Sequence, residues 1–404
     1  MTFSMSAPFS KLPSTAKITP SPFRIFIPDE QLLDFKTLVK LSKIGPQTYE
    51  NTREDRRFGV THDWITARKE EWLNSFDWRA VEARANSFPQ FTTVIEGLTI
   101  HFAALFSEKA DAVPIVLLHG WPGSYFEFLP LLQLLRDDFT PSTMPYHLIV
   151  PSLPGYTFSS GPPLDKNWTN ADTARVIDQL MQGLGLGNGY VAQGGDIGSR
   201  ISRLLGLKYA GCKAVHLNFG PLPTRPEGAS DEGLSDVEKR GLERYQTFLQ
   251  SGRAYAEEHA TRPATIGHVL SSSPLALLAW LGEKYLEWPD APLSSQTILE
   301  LVTLYWLTDT YPRAIYPYRE NTLSPHEATA LLTTDFYIHK PLGFSYFPKE
   351  LMPVPRSWIA KTGNLVYFKE HTEGGHFAAL ERPKEIKEDL TEFISQIWPD
   401  ITSS

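Results

Sequence analysis

Five residues, Gly194-Gly195-Asp196-Ile197-Gly198, constrain this chain more than any other stretch. They follow an apolar run with strand character, Tyr190 to Gln193, and precede a helix-like run, Ser199 to Leu207. Small residues on both sides of a reactive side chain, at a strand-to-helix junction, permit a tight turn that lifts the side chain clear of the backbone. The central residue here is Asp196. A carboxylate at that point attacks carbon and forms an ester, so the chemistry implied is displacement at an electrophilic carbon. Taken alone, a Gly-Gly-Asp run is more often a plain turn. The reading therefore depends on what stands elsewhere in the chain.

Around this stretch strands and helices alternate. Strand-like runs at Val113–Leu118, Tyr146–Val150, Tyr190–Gln193 and Ala214–Asn218 are separated by helix-like runs at Ser124–Leu135, Ala171–Gln182 and Ile197–Leu207. Such alternation predicts a mostly parallel sheet covered by helices on both faces. A hairpin precedes it, Thr92–Ile95 and Leu98–Phe102 about the Glu96-Gly97 turn. Before that, residues 22–91 carry a short strand candidate, Phe23–Ile27, and helical patterns at Asp29–Leu41 and Thr61–Phe76, and read as a wrapping segment. Residues 1–21, rich in Ser, Thr and Pro, read as a mobile N-terminal arm with no apolar leader. After Gly220 the alternation stops. Residues 221–325 begin with a Pro-rich linker and continue as an aromatic-rich helical region, which predicts a cap over the carboxyl ends of the strands. The sheet pattern resumes within 326–404, at Leu342–Phe347 and Leu365–Phe368, and closes with an amphipathic helix, Pro383–Trp398. The core is thus expected in two parts, 92–220 and 326–404.

Composition narrows the function. The net charge of −8 is dispersed and no Lys/Arg run occurs, so nucleic acid and anionic membrane surfaces are not expected partners. The single cysteine, Cys212, excludes an internal disulfide framework and suits a reducing compartment. No run of eighteen apolar residues occurs, so the expectation is a soluble, cytoplasmic protein without a membrane anchor. Gly183-Leu184-Gly185-Leu186-Gly187 precedes a strand instead of following one, so it is not a dinucleotide fingerprint.

Three further pieces fall where a carboxylate nucleophile needs them. His119-Gly120-Trp121-Pro122 directly follows the strand Val113–Leu118. A loop there gives one backbone N–H to an oxyanion hole and the residue after the nucleophile gives the other, which assigns the pair to Trp121 and Ile197. His119 itself reads as structural. His376, in the Gly-rich loop Glu373–Phe377 after the final strand, is the base by chain order, with His371 as rival. Glu350, just past the penultimate strand, can orient that imidazole, and is preferred over Asp335, Glu370 and Glu373. At their ordinary ionisation, aspartate is an anion, tyrosine a proton donor and histidine a neutral base at neutral pH, and no special tuning is expected.

The set His119-Gly120-Trp121-Pro122-Gly123, Pro151–Tyr156, Gly194-Gly195-Asp196, Phe347–Glu350 and Gly374–Leu380 resembles epoxide hydrolases of the microsomal type, particularly soluble fungal members, over nearly the whole chain from Pro22. That resemblance implies an α/β-hydrolase fold: a mostly parallel central sheet, a helical cap inserted after the sixth strand and an N-terminal wrapping segment. It implies ring opening by Asp196 and hydrolysis of the ester by water that His376 and Glu350 activate. It also implies that two cap tyrosines hold the epoxide oxygen, here Tyr255 and Tyr318, with Tyr316 as rival to the second. The expected partners are an epoxide, of aryl or bulky hydrophobic kind, and water. No metal or organic cofactor is expected, and a homodimer is plausible from the wrapping segment. The chain departs from the family in lacking an N-terminal anchor and in carrying Glu350 where many relatives have Asp. The alternatives are a haloalkane dehalogenase, which would typically place Trp where Ile197 stands, and a catalytically inactive binding protein of the same fold.

Overall fold

The computed structural model describes residues 7–222, 225–321 and 336–403. Asp335 and the expected boundary at 325/326 lie outside the described residues, as do Pro223 and Thr224 of the expected linker. Nine strands form one sheet: β1 Ser21–Phe23, β2 Gln90–Ile95, β3 Leu98–Leu105, β4 Val113–Leu118, β5 Tyr146–Pro151, β6 Tyr190–Gly194, β7 Cys212–Leu217, β8 Ile338–Tyr346 and β9 Gly363–Glu370. Their spatial order is β1-β2-β3-β5-β4-β6-β7-β8-β9. The first three strands and the β3–β5 contact are antiparallel, and from β5 to β9 all neighbours are parallel. Every residue of β4 and β5 is buried, as expected where helices cover both faces of a parallel sheet. The cap inserts between β7 and β8, which is after the sixth strand counted from β2; β1 adds one more at the edge.

Local differences from the sequence expectations have identifiable causes. The first strand is Ser21–Phe23, not Phe23–Ile27, because the Ile25 and Ile27 N–H groups are taken by side chains, Asn86 Oδ1 and Glu82 Oε1, each at 2.8 Å. The helix expected from Ser124 is a 3₁₀ turn, Tyr125–Phe128, followed by an α-helix, Leu129–Asp138. Pro130 has no N–H and fits only the first turn of a helix, so the α-helix starts beside it. The run Thr61–Phe76 forms the helix His62–Asn74, and a further one, Trp78–Ala85, follows. Part of the expected N-terminal arm makes contacts with the core. Phe9 is buried and its carbonyl accepts the Phe106 N–H, while Lys17 and Ile18 both donate to the Gly183 carbonyl.

The cap comprises helices at Asp236–Thr247, Ala254–Thr261, Pro263–Ser271, Pro274–Glu287, Ser295–Leu307 and Thr310–Ala314, then a 3₁₀ segment, Tyr316–Asn321. Among the described residues no single helix is long and apolar enough to cross a membrane; Pro263–Ser271 and Pro274–Glu287, apolar together, are bent by 117° at their junction. The N-terminal helices lie against the cap. Trp72 is fully buried and its indole N–H donates to Thr303 Oγ1 at 2.8 Å, while Arg84 pairs with Glu300. Trp72→Ala is expected to cost about 3–5 kcal/mol, by removing a buried aromatic and leaving Thr303 without its donor. A chemical-denaturation midpoint equal to the parent's would show that this contact does not stabilise the fold.

Candidate active site

β6 leads into Asp196, the candidate nucleophile. Asp196 follows its end with φ of +42°, a backbone state that a non-glycine residue adopts only when its surroundings enforce it. Two glycines make this possible. A Cβ at Gly198 would stand 2.0 Å from the Leu118 carbonyl oxygen, and one at Gly194 would stand 2.3 Å from the Gly198 carbonyl oxygen. The carboxylate accepts the Trp121 N–H at 2.7 Å through Oδ1. Ile197 is the second residue of the helix Asp196–Lys208, a position whose N–H has no intrahelical acceptor. The Trp121 N–H is thus already on the Asp196 carboxylate, and the Ile197 N–H is left free of an intrahelical partner in the first turn beside it.

The proposed base reaches the same carboxylate. His376 Nε2 lies 3.4 Å from Asp196 Oδ2, and Nδ1 lies 2.6 Å from Glu350 Oε1. Glu350 is held by its own neighbours: Leu351 N–H donates to Oε1 at 2.5 Å, and Arg244 of the cap donates to its carbonyl at 2.7 Å. The rivals are engaged elsewhere. His371 pairs with Asp389 at 2.7 Å, and Glu373 pairs with Arg382. His119, as expected, is structural: its Nε2 accepts the Leu153 N–H at 3.2 Å and burial lowers its pKa to about 4.

Ionisation departs from the ordinary values assumed from sequence. Burial by itself would lower His376, but the charges and hydrogen bonds of Glu350 and Asp196 outweigh it and raise the imidazole to about 10. Both neighbours therefore favour the protonated imidazole, in contrast to the neutral base expected from sequence. Both cap tyrosines are raised as well. Burial is the main cause for each, followed by Asp196 for Tyr255, and by Tyr255 and Asp196 for Tyr318.

Tyr255 starts the helix Ala254–Thr261 after a π-helical turn, Phe248–Gly252. Its ring stacks on Trp121 with centroids 5.2 Å apart, and Tyr318 meets the same indole edge-on at 5.8 Å. The two tyrosine rings are 5.8 Å apart, nearly perpendicular. Tyr316 is directed elsewhere, its hydroxyl pairing with Thr173 Oγ1 at 3.0 Å. The chain around Tyr318 is tied to the core, because Asn170 donates to the Glu320 carboxylate through both its backbone N–H and Nδ2.

Two participants were missed by the sequence reading. Glu127 lines one cleft with Asp196 and His376. Its burial, opposed by His376 and reinforced by Asp196, pushes its carboxyl up to about 8, which favours the protonated form. The available signal was a lone acid in the apolar stretch Tyr125–Leu135. The second is the Trp288 carbonyl, which accepts the His376 N–H at 3.1 Å and joins the cap to the base; a backbone acceptor leaves no trace in sequence.

A mostly parallel sheet with a helical cap between β7 and β8, and a carboxylate at a strained elbow just past β6, define a protein of the α/β-hydrolase class. Residues 113–265 match the family model described as alpha/beta hydrolase fold, and residues 20–128 match that described as Epoxide hydrolase N terminus. The chain is 64% identical to the solved Aspergillus niger epoxide hydrolase, with a TM-score of 0.93 over 97% of this chain and 100% of that one. It is 30% identical to epoxide hydrolase 1 of Oryctolagus cuniculus, over 93% of this chain and 89% of the relative. The juvenile hormone epoxide hydrolase of the silkworm Bombyx mori superposes with a TM-score of 0.83 at 25% identity, over 94% of each chain. This chain belongs to the epoxide hydrolase family and is an epoxide hydrolase, acting on an epoxide and water.

Proposed function

We propose that the reaction runs through a covalent ester on Asp196, in two half-reactions. In the first, an Asp196 oxygen attacks a ring carbon while Tyr255 and Tyr318 hydrogen-bond the departing oxygen, which takes a proton. In the second, His376, oriented by Glu350, removes a proton from water that attacks the ester carbonyl. The Trp121 and Ile197 N–H groups stabilise the oxyanion, each by about 3 to 4 kcal/mol in comparable sites. The observation that carries this reading is the continuous contact from Glu350 to His376 to Asp196, at 2.6 and 3.4 Å. It also gives the order of events. Esterification removes the Asp196 charge that helps hold His376 protonated, so the imidazole is released as a base only after the ester exists.

The test is one turnover of styrene oxide by excess enzyme in heavy-oxygen water, with mass analysis of the diol. Unlabelled diol is expected, its new oxygen coming from Asp196. Labelled diol would mean that water attacks the epoxide directly. Tyr255→Phe and Tyr318→Phe are each expected to slow alkylation about 10- to 100-fold while ester hydrolysis is little changed. Equal slowing of both steps in rapid-mixing experiments would remove the oxygen-binding role.

The substrate class proposed is aryl or bulky hydrophobic epoxides, supported by the rings of Trp121, Tyr255, Trp288 and Tyr318 packed around the site. A homodimer is proposed on the face shared by the N-terminal segment and the cap, where Leu33, Leu38, Leu41 and Val269 are exposed beside a groove of about 580 Å³. Sedimentation of the purified protein tests it. The single cysteine supports a cytoplasmic location, tested by fractionation.

A further inference from the structure

Lys284, on the cap helix Pro274–Glu287, is a buried cation that the two half-reactions above do not use. Its side chain is 5% exposed, and its carboxylate partner is Glu283, which is 32% exposed at the rim of the cap. Lysine is almost never buried to this degree unless its charge is compensated. The rest of its surroundings is aromatic. Nζ lies 4.8 Å from the centre of the Tyr255 ring, 5.5 Å from that of Trp280 and 5.9 Å from that of Trp288. A cation over a ring face is attracted by the π electrons, more strongly when water is excluded. That attraction grows if the ring gains negative charge. A phenol that gives up its proton spreads the charge left behind into its ring, so a cation there favours the proton's departure over its retention.

We propose that Lys284 is a positioning residue for ring opening, its ammonium over the Tyr255 ring favouring transfer of the Tyr255 proton to the departing epoxide oxygen. This rests on Tyr255 as an oxygen-binding residue. In the step, the Asp196 oxygen bonds to carbon, the carbon–oxygen bond of the ring breaks, and its electron pair stays on oxygen, which takes the Tyr255 proton. The phenolate recovers a proton from the Asp196 carboxyl once water has hydrolysed the ester. Lys284 thereby offsets what burial and Asp196 do to the same tyrosine, which is to hold its proton more tightly. On its own helix Glu283 and Glu287 oppose it in sign, while His259 on the facing helix, lowered to about 3 by burial and then by Lys284, adds no charge. The charges of Arg200 and Arg253 act on Tyr255 in the same sense as Lys284, and the Tyr318 ring lies 5.8 Å from it.

The experiment separates alkylation from ester hydrolysis by rapid mixing under single-turnover conditions, in two backgrounds. Lys284→Met is expected to slow alkylation about tenfold, leave ester hydrolysis unchanged, and be rescued by Lys284→Arg. In a Tyr255→Phe background the same change is expected to have no further effect, because the group it acts through is gone. Glu283→Gln, at the rim, leaves the ammonium in place without its opposing charge and is expected to speed alkylation about two- to threefold. Equal slowing by Lys284→Met in both backgrounds would make its role structural and overturn the proposal, as would unchanged alkylation. If Lys284→Met does not fold, slower or unchanged alkylation in Glu283→Gln overturns it. Wild-type alkylation in Tyr255→Phe would instead remove the underlying assignment of Tyr255.

Discussion

Asp196→Ala is expected to abolish diol formation, with turnover reduced on the order of 10⁵-fold or more and the fold retained. The size of the loss follows from the geometry. Among the described residues, the two other carboxyls beside the site are poorly suited to replace it: Glu350 is occupied by His376 Nδ1, and burial favours the protonated form of Glu127. Alanine at this position would still have to adopt φ of +42°, so the variant keeps the backbone strain while losing the reactive group. Product analysis by chromatography with circular dichroism of the purified variant checks both halves of the expectation. Turnover at the parent rate in a folded Asp196→Ala enzyme would remove the nucleophile assignment.

His376→Gln is expected to divide the reaction at its midpoint. In the proposed mechanism alkylation uses Asp196 and the cap tyrosines, whereas hydrolysis uses a base within reach of the ester. The variant should therefore accumulate protein heavier by the mass of one epoxide, while steady-state turnover falls on the order of 10⁴-fold or more. Intact-protein mass spectrometry after mixing with substrate reads this directly. A variant that turns over slowly without accumulating the adduct would place His376 in ring opening. The raised pKa also has a stability consequence. With its folded value near 10 and an ordinary value of 6.5, His376 stabilises the fold fully below the lower value and loses that contribution as pH rises through the higher.

Much of the frame is legible in the chain because parallel strands buried on both faces are nearly continuous apolar runs, as in Val113–Leu118 and Tyr146–Pro151. Asp196, His376 and Glu350 are legible because each stands just after a strand, and loops at the carboxyl edge of a parallel sheet converge. The cap tyrosines are less so. The choice between Tyr316 and Tyr318 depends on which hydroxyl faces Asp196, and residues two apart on one short 3₁₀ segment carry no pattern that decides it. Packing favours Tyr318, because the Tyr316 hydroxyl is paired with Thr173 while the Tyr318 ring meets Trp121. Burial of charge is less legible still. Glu127 and Lys284 stand in sequence as ordinary acid and base, and only the surroundings brought by distant segments favour the protonated form of one and enclose the other in rings. The pinned arm at Phe9 and Ile18 was hidden for a different reason: a few apolar residues among Ser, Thr and Pro suffice to anchor a segment whose average composition is polar.

The backbone bond from His376 to the Trp288 carbonyl links the integrity of the base to the seating of the cap. One bond thus serves two purposes: the seating of this end of the cap and the placement of the loop carrying the imidazole are a single structural condition, and a substitution that loosens the Trp288 backbone also loosens an anchor of His376.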